Sequence, residues 1–299
     1  MNKKKVALLT GITGFIGYHL AIRLVSEGWN VHAIIRKTSN IVKIEEKLGR
    51  NITFHIYDEE NNLSQIMKQV SPSIVFHLAS LFLANHKYED ISDLIDSNIK
   101  FGTHILDAMI ENKIYYFINT GTSWQHYNNE KYNPVNLYAA SKQAFEMIIK
   151  YYQEITPLKV INLKLFDTYG EEDTRPKILA LLRKISETGE NLCMSKGEQL
   201  IDIVHVDDVV EAFIVAAQYI IDKENLCLET YMVTSGKLIK LHDLVKVYEA
   251  IVKKKLNITW GGRPYRNREV MIPWNTGQTL PGWKARVDLV SGITKVLGL

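Results

Sequence analysis

Cysteine is nearly absent: two residues, Cys193 and Cys227, in a chain of 299. That excludes a disulfide framework, and neither cysteine has the spacing of a metal-ligand set, so no metal is expected. Long apolar runs are also missing; none reaches the length needed to span a bilayer. Blocks of like charge are missing beyond Lys253–Lys255, which read as a solvated helix face. The net charge is only +3, with lysine and arginine dispersed, so a nucleic-acid partner is not indicated. What is present is 46% hydrophobic and 23% charged residues, the balance of a soluble, cytoplasmic globular protein with a full core. The length suits one large domain or two small ones, with no repeat or low-complexity linker.

The stretch VALLTGITGFIGYHL, residues 6–20, follows MNKKK and admits two readings. A secretion signal needs an unbroken apolar helix and a small-residue cleavage site. Gly11, Gly14 and Gly17 interrupt this run, Thr10 and Thr13 add polar atoms, and an amphipathic pattern continues after His19. The alternative is a strand (Val6–Thr10), a glycine turn and a helix with Ile16, Leu20 and Leu24 spaced four apart. In that reading Gly11 permits a sharp turn, Gly14 lets the backbone approach a diphosphate, and Gly17 lets helix and strand pack closely. The helix N-terminus then offers free N–H groups to the anion.

Strand-like runs at 5–10, 30–35, 52–57, 73–78, 114–119, 158–165 and 230–234 alternate early on with helical patterns at 15–27, 61–70, 93–112 and 138–153. This predicts an α/β fold, a doubly wound parallel sheet covered on both faces. After residue 166 the alternation fades into a smaller mixed region. Ligands of such sheets sit beyond the carboxyl ends of the strands. The second strand ends in Arg36, followed by Lys37. An acidic residue would be needed there to accept the ribose hydroxyls of NAD, whereas Arg36 can pair with a 2′-phosphate; the expectation is NADP (NADPH) rather than NAD. The third strand ends in Asp58, an acceptor for an adenine amino group or a helix cap. The fourth ends in the small residues Ala79 and Ser80, leaving room for a cofactor, and His77 reads as a core histidine.

The fifth strand ends in hydroxyls, Thr120, Thr122 and Ser123, and YAASK follows with Tyr138 and Lys142 four apart on one helix face. At about 5 Å and an effective dielectric near 20, the ammonium favours the phenolate by roughly 3 kcal/mol. That is about two pKa units, an expected shift of Tyr138 towards neutrality, where it can exchange a proton with a substrate oxygen.

These segments together resemble the extended short-chain dehydrogenases/reductases that act on nucleotide sugars. The carriers are TGITGFIG (10–17), FHLAS (76–80), SNIKFGTHILDA (97–108), YAASK (138–142), LKLFDTYG (163–170), HVDDVVEA (205–212) and LPGWK (280–284). The resemblance implies a Rossmann-type domain over 1–166, with returns near 201–217 and 229–235. A smaller substrate-binding region would take 167–200 and 236–299. It implies Thr120, Tyr138 and Lys142 as the catalytic set. With Arg36 and Asp58 from the strand ends, the expected cofactor-binding set is Gly11, Thr13, Gly14, Phe15, Ile16, Gly17, Arg36, Asp58, Leu78, Ala79, Ser80, Asn98 and Phe166, joined by Tyr138 and Lys142. By the same analogy the helices at 93–112 and 138–153 would form a homodimer.

Departures from the family select among its reactions. Dehydratases carry Asp-Glu after the strand-five threonine; here Gly121 and Thr122 follow Thr120. Epimerase–reductases use a cysteine near the same place, and residues 119–127 contain none. Reduction of a 4-keto sugar nucleotide is the leading expectation, with CDP-abequose and CDP-paratose synthases, reductases of CDP-4-keto-dideoxyhexoses, the most similar in pattern. The alternatives are a 4-epimerase using bound NAD and a dinucleotide-sensing protein without catalysis. The candidate substrate residues are Thr122, Ser123 and Asp167, with Arg175, Lys177, Arg263 and Arg266 as cations available for a diphosphate; of these, Arg266 sits in GRPYRNREV, which resembles a family segment that supplies a diphosphate-binding arginine. Ile201 stands where relatives carry a diphosphate-pairing arginine, and Asp167 where an asparagine is frequent.

Overall fold

The structure, a computed structural model, describes residues 5–58, 62–223 and 228–299; Cys227 and most of the basic start lie outside these. In chain order the elements begin with β1 (Val6–Thr10), α1 (Phe15–Ser26), β2 (Asn30–Ile35), α2 (Val42–Leu48), β3 (Ile52–Ile56), α3 (Leu63–Val70) and β4 (Ile74–His77). They continue with α4 (Ile91–Ile95), α5 (Phe101–Glu111), β5 (Tyr116–Thr122), α6 (Leu137–Ile155), β6 (Lys159–Leu165) and β7 (Asp167–Tyr169). Then come α7 (Ile178–Thr188), β8 (Leu192–Met194), β9 (Leu200–Ile201), β10 (Ile203–His205), α8 (Val206–Asp222) and β11 (Leu228–Val233). The chain closes with β12 (Ile239–Lys240), α9 (Leu241–Val252), β13 (Ile258–Trp260), β14 (Gln278–Thr279) and α10 (Leu289–Leu297).

Eight strands form one parallel sheet in the order β14-β11-β6-β5-β4-β1-β2-β3. The chain reverses direction across the sheet between β1 and β4, which opens a crevice at their carboxyl ends. Residues 6–26 are thus β1 and α1 of a Rossmann-like fold. Side chains of β1 alternate: Ala7 and Leu9 enter one core with Leu20 and Leu24 of α1 and Phe213, Ala216 and Ala217 of α8. Leu8 faces the opposite core, with Met67 of α3, Leu106 of α5, and Phe145 and Ile149 of α6. Each such leucine contributes about 1.5–3 kcal/mol by leaving water, so both faces of the sheet are held by their helices.

A third core gathers Leu182 and Ile185 of α7, Leu244 and Tyr248 of α9 and Ile293 of α10. It carries short strand pairs, β8 with β13, β9 with β12, and β7 with β10. The expected helix over 93–112 is α4 and α5 joined by a π-helical turn at Asp96–Lys100. The wider turn carries the buried Asn98, a device common at functional sites. Among the described residues no helix is long and apolar enough to cross a membrane.

Candidate active site

The glycine turn is held by contact. Gly11 has φ +77°, and a Cβ there would lie 2.5 Å from the Ala79 nitrogen. A Cβ at Gly17 would lie 2.2 Å from the Gly11 carbonyl oxygen, so helix α1 could not sit against β1 with any other residue. Gly14 is different: its nearest neighbour for a Cβ is the Gly11 oxygen at 3.2 Å, with nothing packed on its open side. Gly14 caps α1 with extended backbone and no side-chain capping bond, which leaves the first N–H groups for a ligand. A diphosphate fits such an end by charge and by hydrogen bonding. Thr13, Phe15 and Ile16 lie on this turn and first helical residues. At the end of β2, Arg36 and Lys37 are exposed, and the Arg36 backbone is fixed by bonds with Ser39 in both directions (3.0 and 2.9 Å). Asp58 lines a separate open hollow with Tyr57, Asn62 and His104.

Behind the crevice, the side chain of Asn98 clamps three elements. Its Oδ1 accepts from Ser80 Oγ (3.0 Å) and Leu81 N (2.7 Å), and its Nδ2 donates to Leu81 O and Ser141 Oγ (3.0 Å each). Ser141 in turn donates to the Tyr138 carbonyl at 2.7 Å. The loop carrying Leu78, Ala79 and Ser80 is thereby tied to the first turn of α6. Thr10 shares a hydrogen bond with His77 Nδ1 (2.9 Å) and accepts from Ala79 N (3.2 Å). His77 is held near pKa 3 by burial and the Lys142 charge, so it is neutral and structural.

Tyr138 and Lys142 lie four apart on α6; Tyr138 is half-buried and Lys142 only 2% exposed. Burial pushes the Tyr138 phenol up to about 12, opposed by a hydrogen bond with Ser80 and the Arg175 charge. This reverses the expected direction. The Coulomb argument counted the ammonium and left out the phenol's own desolvation; burial also pulls the Lys142 pKa down to about 8, with Glu146 opposing and Lys164 reinforcing. Glu146 pairs with the buried Lys164 at 2.5 Å, directly beneath Gly121, whose missing side chain makes the room. Thr120 Oγ1 is buried and, among the described residues, lacks a hydrogen-bond partner. Thr122 is occupied differently: its oxygen caps Trp124 N, and its N–H donates to Gln125 Oε1 (2.9 Å).

Next to this lies a cavity of about 330 Å³, within the usual size of a small-molecule site. Ser123, Asn136, Leu137, Phe166, Asp167, Ile201 and Asp202 line it, together with Arg266, Arg268 and Trp274. The cations expected at the substrate divide sharply. Arg175 is held by Asp173 (2.7 Å) and the Thr168 carbonyl (2.8 Å), with its guanidinium 4.4 Å over the Phe15 ring. Lys177 pairs with Asp167 at 2.8 Å, which neutralises the acid that would repel a phosphate. Arg263 is exposed and does not line the cavity, whereas Arg266 does. The sequence reading missed Arg268, Gln199 and the His126–Trp274 stack (4.0 Å); their segments are distant in sequence and meet only in the fold.

The model of the NAD-dependent epimerase/dehydratase family matches residues 7–226. The chain is 28% identical to the CDP-abequose synthase of Salmonella muenchen over 100% of its own length and 98% of that protein. It is 29% identical to the Yersinia pseudotuberculosis CDP-abequose synthase, covering 89% of this chain and 90% of the other. Among solved structures, a Thermotoga maritima UDP-glucose 4-epimerase with UDP-glucose superposes with a TM-score of 0.84 at 23% identity, covering 98% of this chain and 97% of that one.

Proposed function

Given that the chain belongs to the NAD-dependent epimerase/dehydratase family, we propose that it reduces the 4-keto group of a nucleotide-linked 6-deoxyhexose with NADPH. The observation that carries the reductive reading is the end of β2. Arg36 and Lys37 are exposed there, and residues 36–40 contain no carboxylate to grip an unphosphorylated ribose. Similarity to two CDP-abequose synthases over 100% and 89% of this chain supports the same class of substrate.

The dinucleotide would be held by the N–H groups of Phe15 and Ile16, by Arg36 and by the small residues Ala79 and Ser80; when bound it supplies hydride to C4. The chain itself manages the proton. With a pKa near 12 the Tyr138 hydroxyl stays protonated at neutral pH and serves as the donor to the developing alkoxide. Thr120, whose buried hydroxyl has no protein partner among the described residues, hydrogen-bonds the same oxygen. Lys142 stabilises the phenolate left behind. Met147, Tyr151 and Ile155 form an exposed apolar stripe at four-residue spacing on α6, which fits a homodimer through that helix.

The second reading, a 4-epimerase with retained NAD, is favoured by the solved structures of UDP-sugar 4-epimerases that share the fold. Absorbance at 340 nm separates the two. NADPH and NADH oxidation is followed against 4-keto-6-deoxy sugars on CDP, dTDP, GDP and UDP. Stoichiometric NADPH consumption is expected, and a faster rate with NADH removes the role given to Arg36.

A further inference from the structure

Two opposite charges lie buried beneath the end of β5. Glu146 of α6 and Lys164 of β6 are 2.5 Å apart, with side chains 10% and 1% exposed. Such a pair is a poor source of stability, because desolvating both ions cancels most of their attraction and packed apolar residues do as well or better. Room is nevertheless kept for it: a Cβ at Gly121 would lie 2.8 Å from Lys164 Cδ and 3.0 Å from Glu146 Oε1. Gln125 closes the cluster, its Oε1 accepting from Thr122 N and its Nε2 donating to Gln143 of α6 (2.9 Å each). Tyr138, Lys142 and Glu146 follow one another at four-residue spacing on α6. The ammonium therefore has a phenol one turn before it and a carboxylate one turn after, and an ammonium and a carboxylate at that spacing pair on a helix. Here Glu146 is taken by Lys164 instead, and among the described residues Lys142 forms no ion pair. Burial most disfavours the Lys142 charge; of its neighbours Glu146 favours the ammonium and Lys164 opposes it. Burial lowers the proton affinity of the two nearby histidines, His77 of β4 and His126, so neither adds a charge at neutral pH.

We propose that Lys164 is a positioning residue for the proton donor: it holds the Glu146 carboxylate on β6 and so leaves the Lys142 ammonium free to face Tyr138. This rests on the reductive reading of the site. The flexible stem of a lysine reaches either neighbour, and an ammonium drawn to Glu146 moves towards the next turn of α6, away from the phenol. The buried pair acts by mutual cancellation. Both charges present, or both absent, leave Lys142 to Tyr138; the carboxylate alone takes it away.

The test is kcat against pH for the 4-keto-6-deoxy sugar nucleotide that wild type reduces fastest with NADPH. Wild type, Lys164→Arg, Lys164→Met and Lys164→Met/Glu146→Gln are compared, with thermal melts to identify the folded variants. In Lys164→Met the released carboxylate should lower kcat about tenfold or more. It should also move the alkaline limb up by about one pH unit, because Lys142 then holds its proton more tightly. Lys164→Arg keeps the partner of Glu146 and should stay within about threefold of wild type. The double variant leaves no buried charge unpaired, so it should fold and regain kcat to within about threefold of wild type, with the limb back near its original place. A merely structural role would lower kcat in Lys164→Met without moving the limb, and that result overturns the assignment. Should Lys164→Met fail to fold, the double variant decides: folded, yet tenfold or more below wild type, it overturns the assignment alone. A wild-type protein that reduces no keto sugar nucleotide overturns it together with the reductive reading.

Discussion

The proposed cofactor crevice and the proposed substrate cavity are built by different means. In the crevice the shape is made by backbone: a Cβ at Gly11 or Gly17 would collide with main-chain atoms at 2.5 or 2.2 Å. In the cavity it is made by side chains from 123–136, 166–167, 199–202 and 266–274, where Asp167 is paired with Lys177 and Asp202 accepts from Ser235 N. Backbone contact leaves no freedom in residue choice, so the crevice has one solution. Side-chain pairing leaves a great deal, so the cavity can change its ligand by exchanging single side chains.

The largest expected effect lies where the two regions meet. Tyr138→Phe should lower kcat by about 10²–10⁴, the usual worth of general acid catalysis, with NADPH affinity unchanged by fluorescence titration. A drop in cofactor affinity instead would assign Tyr138 to the crevice alone. On the crevice side, Gly17→Ala should destabilise by about 1–3 kcal/mol in denaturant melts, because the methyl group must displace α1 from β1. Gly14→Ala should melt like wild type yet bind the dinucleotide about tenfold more weakly, which is about 1.4 kcal/mol. Equal effects at Gly14 and Gly17 would erase the distinction between room kept for packing and room kept for ligand.

A pH profile gives a finer test. Lys142 must be an ammonium to support the phenolate, and its pKa is pulled down to about 8, so kcat should fall as pH rises through that value. Glu146 favours the ammonium, so Glu146→Gln should move this limb to lower pH. The sign for stability is opposite. The unfolded chain keeps the lysine proton up to about 10.5 while the folded chain loses it near 8, so this group's contribution rises with pH between the two. Arg36→Asp should shift the NADPH-to-NADH preference by about tenfold, or 1.4 kcal/mol, an effect no larger than that at Gly14.

Strands β1–β6 were legible because each is an apolar run bounded by turns, and β1 to α1 because the glycines recur at fixed spacing. Strand β14 was not, since two residues, Gln278–Thr279, carry no periodicity and pair only because β11 is already in place. Tyr138 and Lys142 were legible as a pair, but the direction of the phenol's shift was not. That sign depends on burial, which a spacing of four residues does not encode. Arg268 was invisible because nothing in its neighbourhood of sequence marks a turn at φ +58°.

The central claim is that hydride ends on C4 of a keto sugar and stays there. Incubating the protein with NADPH carrying deuterium at the transferable position and a 4-keto-6-deoxy sugar nucleotide tests this directly, with product analysed by mass spectrometry and proton NMR. One deuterium at C4 of every product molecule, matched by one NADPH oxidised, is the predicted result. C4 epimers formed without deuterium and without loss of NADPH would contradict it.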